Sequence, residues 1–116
     1  MGRRDELFEA DARQVGDLIV LSLTGELDMA TAPELHQAVE RAQHQGPIVV
    51  DLRELEFIDS MGIRALIQIY FAGQDGHSSV SFIRASGNVQ RVLQIAGVEG
   101  LLTWAEPPEE SGTETT

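Results

Sequence analysis

The chain has 116 residues, 42% of them hydrophobic, which suits one packed domain with a single core and leaves little room for a second. Its formal charge of −11 argues against binding nucleic acid or anionic lipid headgroups through charge, and makes a basic protein partner the better expectation. The absence of cysteine and lysine excludes disulfides, thiolate metal sites, cysteine catalysis, a P-loop lysine and Schiff-base chemistry.

No run approaches the roughly 18 apolar residues of a membrane span, and Met1–Glu6 has no apolar stretch after its arginines. A cytoplasmic protein without membrane contact is expected. Residues 1–6 are charged and expected to be flexible. Phe8, Ala10 and Ala12 alternate with Glu9, Asp11 and Arg13 as in a strand with one wet face, and Val15-Gly16-Asp17 reads as a turn. Leu18–Leu23 is a nearly continuous apolar run, which predicts a central second strand hairpinned to the first.

Thr24–Asp28 leaves that strand as a loop, and Thr31-Ala32-Pro33-Glu34 has the Thr-x-x-Glu pattern of a capping box with proline in the first turn. The first helix should start near Thr31, bury Leu35, Ala38, Val39 and Ala42, and stop at Gly46-Pro47. Ile48–Leu52 is a short apolar run typical of a buried parallel strand, and Arg53–Glu56 is expected to be a charged connection. A second helix is predicted from an N-cap at Ser60 to about Phe71, with Ile63, Leu66, Ile67 and Tyr70 on its buried face and Gly73–Gly76 ending it. Val80–Arg84 is a third parallel strand. A helix capped by Ser86 should follow, buried through Val89, Val92, Leu93 and Ala96 and closed by Gly97.

Leu101–Trp104 fits a last strand or a helical turn equally well. The stretch 106–116 has two prolines, four glutamates and no basic or large apolar residue, which predicts a disordered acidic tail. The order β-β-α-β-α-β-α, with a final strand left open, is that of a single α/β domain over residues 7–105: a mixed sheet, hairpin first and crossover helices after.

The histidines are the first candidates for chemistry. His36, Glu40 and His44 line one helical face at a spacing compatible with a metal, but that face lies opposite the buried stripe and no second group supports it, so no metal and no cofactor is expected. His77 falls in a polar loop. A hydrolase nucleophile at Ser60 would need Gly-x-Ser-x-Gly where the chain has Asp59-Ser60-Met61-Gly62, and no histidine is marked as its base, so an enzyme of that type is not expected. Two readings of Ser60 stay open: a plain helix cap, or a modifiable hydroxyl where negative charge is tolerated. At 100° per residue Met61, Arg64 and Gln68 share the face away from Ile63, Leu66, Ile67 and Tyr70, and a methionine and an arginine beside an exposed hydroxyl look like a contact surface.

Several motifs together resemble the anti-sigma-factor antagonist branch of the STAS domain family. They are Gly25-Glu26-Leu27-Asp28, Thr31, Val49-Val50-Asp51-Leu52, Phe57-Ile58-Asp59-Ser60-x-Gly62-Ile63 and Val89-x-x-Val92-Leu93-x-x-x-Gly97. The resemblance runs from about Leu7 to Trp104, with the Asp-Ser-x-Gly segment its most specific part. It implies a binding switch. The unmodified protein captures an anti-sigma factor that is also a serine kinase and so frees a sigma factor; phosphorylation reverses this, and a phosphatase, of the PP2C type, resets it.

By position, Ser60 would be the phosphoacceptor and Asp59 its neighbour in the motif. Asp28 and Thr31 would belong to the adjoining contact loop, and the helical spacing, rather than the resemblance, adds Met61, Arg64 and Gln68 to the partner surface. Many members have a second serine where this chain has Met61, and a glycine is frequent where it has Arg64; the family's usual C-terminal helix gives way to the acidic tail. The alternative keeps the fold without the switch: a constant STAS subunit of a lipid-transport ATPase complex or of a signalling scaffold.

Overall fold

The computed structural model describes residues 7–76 and 78–108, so the expectations for the N-terminal six residues and for most of the acidic tail lie outside the described residues. The elements run β1 (Phe8–Val15), β2 (Leu18–Leu27), α1 (Ala32–Ala42), β3 (Ile48–Ile58), α2 (Ser60–Asp75), β4 (Val80–Ile83) and α3 (Gly87–Ile95). The strands form one mixed sheet in the order β1-β2-β3-β4, antiparallel between β1 and β2 and parallel thereafter. This is the expected architecture. Trp104 adds a single parallel bridge to Phe82, so Leu101–Trp104 is a turn followed by one bridge residue rather than a full strand.

The pleat separates the two faces of the sheet. Leu21, Leu23, Ile48, Val50, Val80 and Phe82 look into one core, where they meet Leu35, Ala38 and Val39 of α1, Ala65, Leu66 and Ile69 of α2, and Val89 and Leu93 of α3. On the other face Val20, Val49 and Ile83 are buried beside one charged residue, Asp51. Its carboxylate accepts hydrogen bonds from Arg53 Nε at 3.0 Å, Nη2 at 2.8 Å and the backbone N–H at 3.0 Å. Burial pushes the Asp51 pKa up, but these contacts, the Arg53 charge and the charge of Arg13 together outweigh it, so the carboxyl is held below its usual range.

Several expectations need correction. β2 does not end at Leu23 but continues to Leu27, and β3 does not end at Leu52 but runs on through Arg53–Glu56 to Ile58, pairing in parallel with Thr24–Leu27. Register shifts between Ser22 and Thr24 and between Gly25 and Glu26 break the two-residue alternation there, so the buried Leu55 and Ile58 stand three apart. β4 stops at Ile83 opposite Asp51, which leaves this part of β3 solvated on one side and tolerant of charge.

The second helix does not stop at Gly73. That residue lies inside α2 because a side chain there would meet the Ser78 carbonyl at 2.8 Å and Val80 Cγ2 at 2.9 Å; it marks close approach of helix to strand. On its inner face Ile63 and Ile67 are half-buried, while Ala65 and Ile69 are buried with Leu66 and Tyr70.

In α3, Val92 and Ala96 are exposed, and Gln90 is buried in their place. Gln90 can be inside because its amide is satisfied, accepting from Ala85 N at 2.8 Å and donating to Glu99 Oε2 at 2.8 Å. Ser86 makes no capping bond and instead donates to the Arg53 carbonyl at 3.2 Å, tying the entry of α3 to β3.

A further correction concerns Thr31. It stands at the predicted helix start, but its side chain makes no capping bond, so no capping box forms. No described helix is long and apolar enough to cross a membrane.

Candidate functional site

Leu27 and Ile58 pair at the ends of β2 and β3, so the loop into α1 and the first turn of α2 emerge side by side. Asp59 joins them: its N–H donates to the Leu27 carbonyl at 3.3 Å, and its Oδ1 accepts from Gly62 N at 2.9 Å. With extended backbone angles, φ −115° and ψ −172°, Asp59 is the N-cap of α2. The cap predicted at Ser60 therefore sits one residue earlier. Both residue types cap well; the carboxylate takes the position because it follows directly on the strand end anchored to Leu27.

Ser60 is thereby released. It is the first residue of α2, is exposed, and its hydroxyl makes no hydrogen bond to a described residue. Gly62 allows the helix to begin so close to β2, since a side chain there would run into the Leu27 carbonyl oxygen and meet Ile58 Cγ1 at 2.8 Å. Asp59, Ser60 and Gly62 thus divide the labour of the motif: one caps, one stays free, one lets the backbone approach.

The neighbouring loop is built by two of the predicted contact residues. Asp28 Oδ1 accepts from Ala30 N at 3.0 Å and Thr31 N at 3.1 Å, while Thr31 Oγ1 donates to the Glu26 carbonyl at 2.8 Å and accepts from Asp28 N at 2.9 Å. Thr31 is only 2% exposed, so its side chain shapes the loop and is not itself presented to a partner. Gln68 is exposed but already shares a 3.1 Å hydrogen bond with His36, bridging α2 to α1. Met61 and Arg64 are exposed beside Ser60, as the helical spacing predicted.

Sequence reasoning missed Met29, 69% exposed at the tip of the loop, and Phe57, 46% exposed at the end of β3. With Met61 they place large apolar side chains on the same end of the sheet, which is how protein contact surfaces are composed. Phe57 was legible only through the strand extension, and an isolated loop methionine carries no periodic signal. Among the described residues, no group of three His, Asp or Glu side chains converges as a metal site.

The fold is that of a single α/β domain, and the chain belongs to the STAS domain family: the family model described as "Mlab, STAS domain" matches residues 10–103. Among proteins of known role it is similar to the anti-sigma-B factor antagonist of Listeria monocytogenes, 27% identical over 88 residues that cover 74% of this chain and 77% of that one. The crystal structure of an anti-sigma factor antagonist from Mycobacterium paratuberculosis superposes with a TM-score of 0.71 at 26% identity, covering 93% of this chain and 92% of that one. The unphosphorylated form of the anti-sigma factor antagonist SpoIIAA shares the fold, with a TM-score of 0.68 at 20% identity over 92% of this chain and 95% of that one.

Proposed function

We propose that the chain is an anti-sigma-factor antagonist that acts by binding, not by catalysis. In its unmodified form it captures an anti-sigma factor with serine kinase activity and so releases a sigma factor. Phosphorylation of Ser60 ends the capture. The relatives named above support the class, and one observation supports the switch: Ser60 is exposed with no structural duty, because Asp59 holds the cap.

The chemistry is an ordinary phosphoryl transfer. Ser60 Oγ attacks the γ-phosphorus of ATP, ADP leaves, and the hydroxyl proton passes to a base of the kinase; a PP2C-type phosphatase reverses the modification by attack of water, giving back the serine and inorganic phosphate. The phosphate lies at a helix N-terminus, where an anion is favoured by about 0.3–1 kcal/mol, so the domain stays folded. Its effect falls on the interface, where roughly −1.5 to −2 charges beside Asp59 must be desolvated. A loss of about 3 kcal/mol, roughly a hundredfold in affinity, suffices to release the partner.

The test is the affinity of purified protein, with serine or with phosphoserine installed at position 60, for each anti-sigma kinase encoded in the source genome. Tight binding by one of them, lost on modification, is expected. Equal affinity of both forms for every such kinase would overturn the switch. It would favour the second reading, a constant subunit of a larger assembly such as a lipid-transport ATPase complex, for which the Mlab description of the matching family model speaks.

A further inference from the structure

We propose that Arg64 is the built-in counter-charge of a phosphate on Ser60, closing a phosphoserine–guanidinium pair along the first turn of α2. The inference rests on the reading of Ser60 as phosphoacceptor and adds how the modified surface is arranged. Residues four apart on a helix are neighbours, about 5–6 Å between Cβ atoms, and the order with the anion on the N-terminal side is the favourable one. Ser60 and Arg64 occupy such positions at the start of α2, and both are exposed.

Arg64 is also available. Its guanidinium makes no hydrogen bond or ion pair with a described residue, whereas that of Arg53 is engaged by Asp51 and that of Arg84 lies 5.0 Å from the centre of the Trp104 ring. Of the carboxylates nearest the start of α2, Asp59 accepts from Gly62 N, and Asp28 from Ala30 N and Thr31 N, each through Oδ1. His36, across on α1, is joined to Gln68, one turn beyond Arg64. The guanidinium thus waits without an anion in the unmodified protein, and its planar fork matches phosphate oxygens bidentately.

The consequence is a double change of surface. Phosphorylation adds an anion at Ser60 and at the same time withdraws the cation of Arg64 from whatever acidic group of the partner it met. A glycine at this position would give only the first of these changes.

The test uses phosphoserine installed at position 60 during translation, so that no kinase is required, in the parent, in Arg64→Gln and in Arg64→Lys. In the parent, the Arg64 Nε–H resonance should shift downfield on phosphorylation and exchange more slowly with water. Phosphorylation should also raise the melting temperature by about 2 °C or more relative to its effect in Arg64→Gln, with part of that difference restored in Arg64→Lys. An unmoved Arg64 resonance, with the same melting shift in the parent and in Arg64→Gln, would overturn the pair. Failure of the pair and failure of the switch are read separately, since the first is intramolecular and the second is the affinity for the anti-sigma kinase.

Discussion

Asp59→Ala and Ser60→Ala change adjacent residues at the start of α2, and the geometry assigns them different costs. Removing the Asp59 carboxylate deletes the 2.9 Å bond to Gly62 N and leaves an N–H of the first turn without its partner. Loss of such a cap costs about 0.5–2 kcal/mol, which at roughly 4 °C per kcal/mol for a domain of this size lowers the melting temperature by about 2–8 °C. Removing the Ser60 hydroxyl deletes no contact with a described residue, and an exposed change of this kind stays within about 0.5 kcal/mol. Ser60→Asp places an acid in the first turn next to the Asp59 cap, which favours the helix by about 0.3–1 kcal/mol and leaves the fold intact. Melting curves of the variants, followed by affinity for the anti-sigma kinase, separate stability from binding. Ser60→Ala should melt with the parent, bind, and resist release by the kinase. A Ser60→Ala variant that melts as low as Asp59→Ala would show that the hydroxyl, not the carboxylate, caps α2.

Three further outcomes follow from the packing around this site and from Asp51. Gly62→Ala should destabilise by about 1–2 kcal/mol despite the better helix propensity of alanine, because the new methyl group overlaps the Leu27 carbonyl; a higher denaturant midpoint than the parent would refute that contact. The Asp51 pKa is lowered in the folded state from a value of 3.8, so its contribution is fully present above that value and is lost as pH falls through the lower folded one. Below about pH 4 the parent should therefore lose stability more steeply than Asp51→Asn, and parallel acid titrations would contradict this. Arg64→Glu should melt like the parent yet bind the anti-sigma kinase more weakly, whereas unchanged affinity would remove Arg64 from the contact surface.

The elements with a one-sided period were legible in the sequence. Leu35, Ala38, Val39 and Ala42 follow the helical repeat and are the buried residues of α1, and the apolar run of β2 lies inside the sheet as such runs do. Where the period is broken by geometry, the reading failed. The register shifts in the β2–β3 pair hide Arg53–Ile58 as strand, because charge on its exposed positions mimics a loop and the apolar positions no longer alternate. Gly73 was misread because close packing against Ser78 and Val80, not a turn, calls for glycine there. Val92 and Ala96 satisfy the helical period of α3 yet are exposed, since burial depends on a neighbour that the period does not reveal.

The site was legible as a set of residues but not as a set of roles, and the difference turns on one position. With Ser60 as the cap, a structural reason for a serine competes with a functional one. Asp59 capping removes the structural reason: any small or polar residue could begin α2 at that position, and the hydroxyl contributes nothing to the fold through a described contact. Thr31 moves in the opposite direction. Expected at the contact surface, it is enclosed, and its hydroxyl joins the Glu26 carbonyl to the Asp28 N–H so that the loop beside Ser60 keeps its shape. Both residues carry hydroxyls at helix starts, and no rule of spacing separates them. The strand ends do: Leu27 and Ile58, paired across the sheet, set the two helix starts side by side, with one hydroxyl buried beneath its loop and the other exposed at the first residue of α2.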